Sequence, residues 1–193
     1  MTIVSMGKFT AVGMRAVVPA GSVVINTCHG NDTVMPGTLT QWAWANPTNR
    51  AFPCVYHDLV AVSVECLWQG TKVFYAGGRP SQSVLRGEVL AGKPTWKLAK
   101  GKRPIGAYAG PSAELITSPG QARREIYVPA YRAQVVGWLA REPEICGWIE
   151  RLRAQDAPVF LRDYDVGRGL DRNGPMSHAW VLAVWLNTGL WPE

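Results

Sequence analysis

Ser63-Val64-Glu65-Cys66-Leu67-Trp68-Gln69-Gly70-Thr71-Lys72-Val73-Phe74 decides the reading of the fold, because the hydrophobic pattern changes character at its first residue. Upstream, Val55 to Val62 is a β-rich run. From Ser63, a residue type suited to cap a helix, the spacing turns helical through Phe74. Glu65, Gln69 and Lys72 fall at i, i+4 and i+7 and stack into one stripe, while Val62, Val64, Cys66, Leu67, Trp68, Val73 and Phe74 fill nearly all other directions. A helix apolar on most sides is mostly buried, so such a stripe must be paired internally or face a wet cavity. The competing reading is the solvent side of an ordinary amphipathic helix.

Outward from this segment, the N-terminal third reads as strands and loops. Arg15 to Val18 and Ser22 to Asn26 are β-rich, and His29 to Gly37 is rich in turn residues. Residues 76 to 120, rich in Gly, Pro and Lys, read mainly as loops with short elements. Helices are expected over Tyr131 to Ala140, over Pro143 to Ala154 with its Pro and acidic start, and over Pro175 to Asn187 with a stop near Gly189. A buried strand, Pro158 to Leu161, precedes the polar loop Arg162 to Gly174. No regular βαβ alternation is evident, so the class is α+β: a small mixed or antiparallel sheet surrounded by helices in a single compact domain over 1–193.

With 193 residues and 47% hydrophobic content the chain can bury a full core. A charged fraction of 18% and nine Trp set it apart from disordered tails and coiled coils. The longest apolar stretch, Ala179 to Leu186, is far short of the ~20 residues a bilayer requires. The first ten residues lack the layout of a secretory signal, so a cytoplasmic protein is expected. Cys28, Cys54, Cys66 and Cys146 are scattered, without the spacing of a zinc site, and read as reduced thiols in the fold. No metal is expected. The net charge of +6 favours a polyanionic partner, either nucleic acid or a phosphorylated nucleotide. No membrane partner and no obligate protein partner is expected.

Two further clusters could carry chemistry. Arg162-Asp163-Tyr164-Asp165-Val166-Gly167-Arg168-Gly169-Leu170-Asp171-Arg172-Asn173-Gly174 joins the buried strand to the last helix. Glycines beside Arg168 allow close approach to a phosphate, the helix start favours an anion, and Asp163 and Asp165 supply carboxylates. The plain alternative is a turn with surface ion pairs. Lys93, Lys97, Lys100, Lys102 and Arg103, interleaved with Trp96 and extended by Arg123 and Arg124 if these lie nearby, combine phosphate neutralisation with a stacking aromatic. A solvated basic loop explains the same run. His178, spaced with Val181, Leu182 and Trp185, reads as a hydrogen-bonded core histidine. No Gly-x-Ser-x-Gly, Walker-type loop or dinucleotide fingerprint occurs, which removes support for a serine hydrolase, a P-loop kinase or a dehydrogenase.

The Ser63 to Lys72 segment resembles the NADAR family, linked to NAD and ADP-ribose, whose members include N-glycosidases and carry a Ser/Val-Glu-His-x-Phe-Gln-Ala-x-Lys helix. Glu65, Gln69 and Lys72 match in spacing, and Cys66 stands where the family has His. Phe52 to Val62 resembles the family's preceding strand, Gly78-Arg79 its later Gly-Arg pair, Tyr131 to Phe160 its helices and following strand, and Asp163 to Asn173 its acidic loop. The resemblance spans residues 52–187 and leaves 1–51 as a β-rich extension packed on the catalytic portion. It implies hydrolysis of the sugar–base bond of a modified nucleotide or of a modified base in DNA, or removal of ADP-ribose from a base, an activity that would fit phage–host conflict. Glu65 would stabilise the oxocarbenium ion or activate water, with Asp165 or Asp163 orienting water or ribose. Lys72 would assist the leaving base or hold a phosphate. Trp68 and Trp96 would stack on the base, Gln69 and Asn173 would contact substrate, and Arg79 and Arg168 would hold phosphate. This chemistry requires no cofactor. A binding module without turnover is the alternative.

Overall fold

The computed structural model describes residues 2–7, 18–27, 44–50, 53–57, 59–76, 79–81, 91, 104–108, 114–163 and 167–193. In chain order the elements are β1 (Ile3–Met6), β2 (Val23–Asn26), β3 (Cys54–Tyr56), β4 (Leu59–Ala61), α1 (Val64–Thr71), β5 (Lys72–Ala76), β6 (Arg79–Ser81), β7 (Gly106–Tyr108), β8 (Leu115–Ile116), α2 (Pro119–Ala122), a π-helical turn (Arg123–Tyr127), α3 (Val128–Arg141), α4 (Pro143–Arg153), β9 (Val159–Arg162) and α5 (His178–Thr188). Helices and small separate sheets make this an α+β protein, as the mixed patterning predicts. Among the described residues no helix is long and apolar enough to cross a membrane. The chain divides into two compact units, residues 1–46 with 135–193, and residues 47–134.

In the first unit, short β-branched and apolar runs pair as an all-parallel sheet of order β1-β9-β2. Ile3 and Val23 both stand opposite Val159, and Met6 and Asn26 both stand opposite Arg162. The N-terminal strands therefore flank the C-terminal strand in one sheet; they are not an appended layer. Strands covered on both faces read as continuous apolar runs, and Ile25, Val159 and Leu161 are fully buried. α5 packs against β1 and β9. Ser177 caps its start, its Oγ accepting from the Trp180 N–H at 3.2 Å, and Gly189 ends it at φ 74, a left-handed conformation that Gly adopts without strain. The outer edge of β1 is closed by side chains. Asn187 accepts from the Ile3 N–H at 3.0 Å and donates to its carbonyl at 2.8 Å, and Arg168 Nη2 donates to the Ser5 carbonyl at 2.8 Å. Blocking an edge in this way removes a template for unwanted strand pairing.

In the second unit, Ser63 caps α1 as the sequence predicts, its Oγ accepting from the Cys66 N–H at 3.2 Å. The helix ends at Thr71 and not at Phe74, because Lys72 turns to φ −66, ψ 141 and opens β5. Val73, Phe74 and Tyr75 are β-branched or aromatic, types that prefer a pleated surface, and Gly70 weakens the helix just before them. β5 joins an antiparallel sheet of order β6-β5-β7-β8, beside a separate β3-β4 hairpin. Helix also begins well before Tyr131: Ser118 caps α2, with Pro119 in the first turn where its missing N–H costs nothing. Pro129 then cannot donate to the Glu125 carbonyl, and its ring would clash there in a regular helix. The chain answers with the π-helical turn, closed by the Val128 N–H to Arg123 carbonyl bond. The released Glu125 carbonyl accepts from the Tyr56 hydroxyl.

Burial, then the Glu125 carboxylate, raises the Tyr56 hydroxyl above its ordinary pKa, which keeps it a donor. Tyr56→Phe is expected to cost about 1 kcal/mol in denaturant unfolding, the net worth of one such bond. Unchanged stability would mean that the carbonyl does not depend on Tyr56.

Candidate active site

The polar stripe of α1 is paired within itself. Gln69 Nε2 donates to Glu65 Oε1 at 2.5 Å, and Lys72 Nζ donates to Gln69 Oε1 at 2.8 Å. An ionised carboxylate only accepts and an ammonium only donates, so the amide between them has one workable orientation. All three residues are half-buried. Lys72 Nζ lies 5.3 Å from the Trp68 ring centroid, within cation–π range. Trp68 meets the Tyr127 ring edge-on at 5.6 Å, and Tyr127 stacks on Tyr131 at 5.9 Å. Trp68 also packs on a core of Ala107, Ile116, Ala122 and Ile126. The result is a carboxylate and an ammonium coupled through one amide, backed by an aromatic wall that the π-helical turn helps to build.

Two expectations change in this unit. Trp68 is anchored to the core with an ammonium over its ring, so it forms a wall of the site and does not offer an open stacking platform. Arg123, expected on a basic face, is 5% exposed and lies inside the π-helical turn, where it cannot form part of an open patch. Arg124 is half-buried. Arg79 starts β6 opposite Ala76. Trp96, Lys93, Lys97, Lys100, Lys102 and Arg103 lie outside the described residues.

The parallel sheet of the first unit carries a second polar cluster at the carboxyl ends of its strands, where open α/β sheets commonly place function. Asp163 follows β9 and is 3% exposed. Its Oδ2 accepts from Ser177 Oγ at 2.7 Å and from the Ala179 N–H at 3.4 Å, and lies 2.9 Å from His178 Nδ1. His178 Nε2 lies 3.1 Å from the Thr27 carbonyl oxygen. Burial alone would raise the Asp163 carboxyl. The charge of His178, with hydrogen bonds from His178, Ser177 and Ala179, outweighs burial and lowers it to about 2. Asp163 is thus a buried anion that clasps the start of α5, not an open carboxylate ready to handle water. His178 is the hydrogen-bonded core histidine that its spacing predicts.

Ser177 was not foreseen in this cluster, although Ser directly before an apolar helical run is a cap signal. Arg168 is exposed and donates one of its guanidinium N–H groups to the Ser5 carbonyl. Asn173 is exposed in the following turn, and Asp165 lies outside the described residues. Glu65 belongs to the 47–134 unit and Asp163 to the other. Gly167 is buried, its carbonyl accepting from the Ser177 N–H at 2.9 Å, and a Cβ there would run into the Pro175 carbonyl oxygen and the Arg172 guanidinium. Because the Pro175 oxygen is backbone, Gly167→Ala is expected to destabilise by about 1–3 kcal/mol in thermal or denaturant unfolding. A neutral result would show that this turn is loose.

Of the described cysteines, Cys54 is buried and burial pushes its thiol up to about 11, while Cys66 is half-buried and Cys146 is exposed on α4; all three are free thiols.

Residues 49–182 match the family described as "Family of unknown function (DUF6939)", and the chain belongs to that family. The match includes α1, the π-helical turn, Asp163 and His178. No curated protein and no solved structure matches the chain.

Proposed function

We propose that this protein is an N-glycosidase that hydrolyses the sugar–base bond of a modified nucleotide or of a modified base in DNA, with Glu65 as its central carboxylate. The observation that carries the reading is the Glu65–Gln69–Lys72 chain, with contacts of 2.5 and 2.8 Å against the Trp68–Tyr127 wall. Cleaving a C1′–N bond needs two things at once: a carboxylate near the developing oxocarbenium ion, and a proton donor near the departing base. The oxygen of water bonds to C1′ as the C1′–N electron pair leaves with the base. Glu65 takes the water proton, and Lys72 supplies a proton to the base nitrogen. Exchange with solvent then restores both groups. The resemblance of Ser63 to Lys72 to the NADAR helix supports the same assignment, and ADP-ribose attached to a base is a second substrate class on this reading. The net charge of +6 favours DNA as the carrier of the base, extruded from the stack for reaction.

A binding module without turnover is favoured by one observation, the internal satisfaction of the stripe by its own hydrogen bonds. Mass spectrometry of bases released from ADP-ribosylated nucleotides, ordinary DNA and DNA with hypermodified bases separates the two. The glycosidase releases a base from at least one of them. No release from any, with retained binding, identifies the module.

A further inference from the structure

We infer that Gln69 acts as a positioning residue that couples the proton acceptor to the proton donor; this rests on the glycosidase reading. Its amide has one donating end and one accepting end. One N–H of the donating end goes to Glu65 Oε1 at 2.5 Å, and the accepting end takes a hydrogen bond from Lys72 Nζ at 2.8 Å. Glu65 and Gln69 share one face of α1 at i and i+4, and Lys72, the residue that caps the helix and opens β5, reaches back to the amide three residues before it. Gln69 can keep both ends in place through the reaction. When Glu65 has gained the water proton and Lys72 has given one to the base, the neutral acid still offers an oxygen to Nε2–H and the neutral amine still offers an N–H to Oε1. Both charges vanish in the same step, so the net charge across the amide stays zero. The helix supplies the rigidity: Ser63 caps its start, Gly70 and Thr71 are buried directly after Gln69, and the Lys72 N–H bonds back to the Gln69 carbonyl.

A substrate contact and a positioning residue leave different kinetic signatures. Losing a contact made equally before and during reaction raises KM, whereas misplacing the reacting groups lowers kcat. Gln69→Leu keeps the bulk and removes both hydrogen bonds. Positioning predicts a fall in kcat of about 100-fold with KM unchanged, the scale of a small misplacement of reacting groups. A raised KM with kcat retained would overturn the inference. A second measurement does not use turnover: the Gln69 side-chain amide resonances in the full-length chain should move, and their exchange with solvent quicken, in Glu65→Gln and in Lys72→Met. Amide resonances indifferent to both substitutions would overturn it whatever the activity. Amide resonances that respond, in a wild-type chain that releases no base, would overturn the glycosidase reading and the catalytic role of Gln69 with it, while leaving the hydrogen-bond chain itself established.

Discussion

Glu65→Gln is expected to lower base release by about 10²–10⁴-fold, the range that a positioned acid–base group contributes. The substitution removes the charge and keeps the shape. A Gln at 65 can still accept from Gln69 through its own amide oxygen, so α1 and its Ser63 cap have no reason to change. Thermal stability should therefore stay close to wild type, and substrate affinity should persist or tighten as the complex becomes trapped. The comparison is made by single-turnover base release together with a direct binding measurement. Equal release by Glu65→Gln and wild type would remove the carboxylate from the mechanism. A proportional loss of binding and release would move Glu65 from chemistry to recognition.

Asp163→Ala is expected to cost about 3–5 kcal/mol, the scale of removing one partner from a buried charge pair. It strips the acceptor from Ser177, His178 and the Ala179 N–H at once, at the point where β9 hands the chain to α5. Asp163→Asn should cost less, because an amide oxygen can still accept from Ser177. The same clasp makes a pH prediction. The Asp163 pKa is lowered from 3.8 to about 2 in the folded chain, so across that interval the unfolded chain binds more protons. The contribution of Asp163 is fully present above about pH 4 and is lost as pH falls toward 2, amounting to about 2 kcal/mol. Urea midpoints of wild type and Asp163→Asn should converge as the solution is acidified through that window. Parallel curves would show that the carboxylate is not held as an anion.

The contrast between these two acids shows how far the sequence reaches. Local chemistry is written into neighbouring residues, and Ser63, the strand near Val159 and the stop at Gly189 could all be read from caps, runs and glycine. The Glu65–Gln69 pair was legible for the same reason, since helical spacing brings the two together, and Lys72 joins them from the residue that caps the helix. The end of α1 was harder: Lys72 to Phe74 continues the helical spacing, and only pairing with β6 and β7 makes it a strand. Proline hid the long helical run, because Pro119 and Pro129 resemble breaks when one starts a helix and the other is absorbed by a π-helical turn answered by Tyr56. The parallel sheet was out of reach, since β1 and β2 find their partner far along the chain in β9. For the same reason Asp163 looked like a loop carboxylate: its burial depends on Ser177 and His178 at the start of the next helix and, through His178, on Thr27 just after β2.

Hydrolysis in heavy-oxygen water tests the central claim most directly, with a substrate from the same panel and the sugar product analysed by mass spectrometry. The wild-type chain is predicted to place the heavy oxygen on the sugar carbon that held the base, one atom per base released, and Glu65→Gln to leave the substrate intact. Substrate recovered whole after saturation with the wild-type protein, or a released base whose sugar carries no heavy oxygen, would contradict hydrolysis at Glu65.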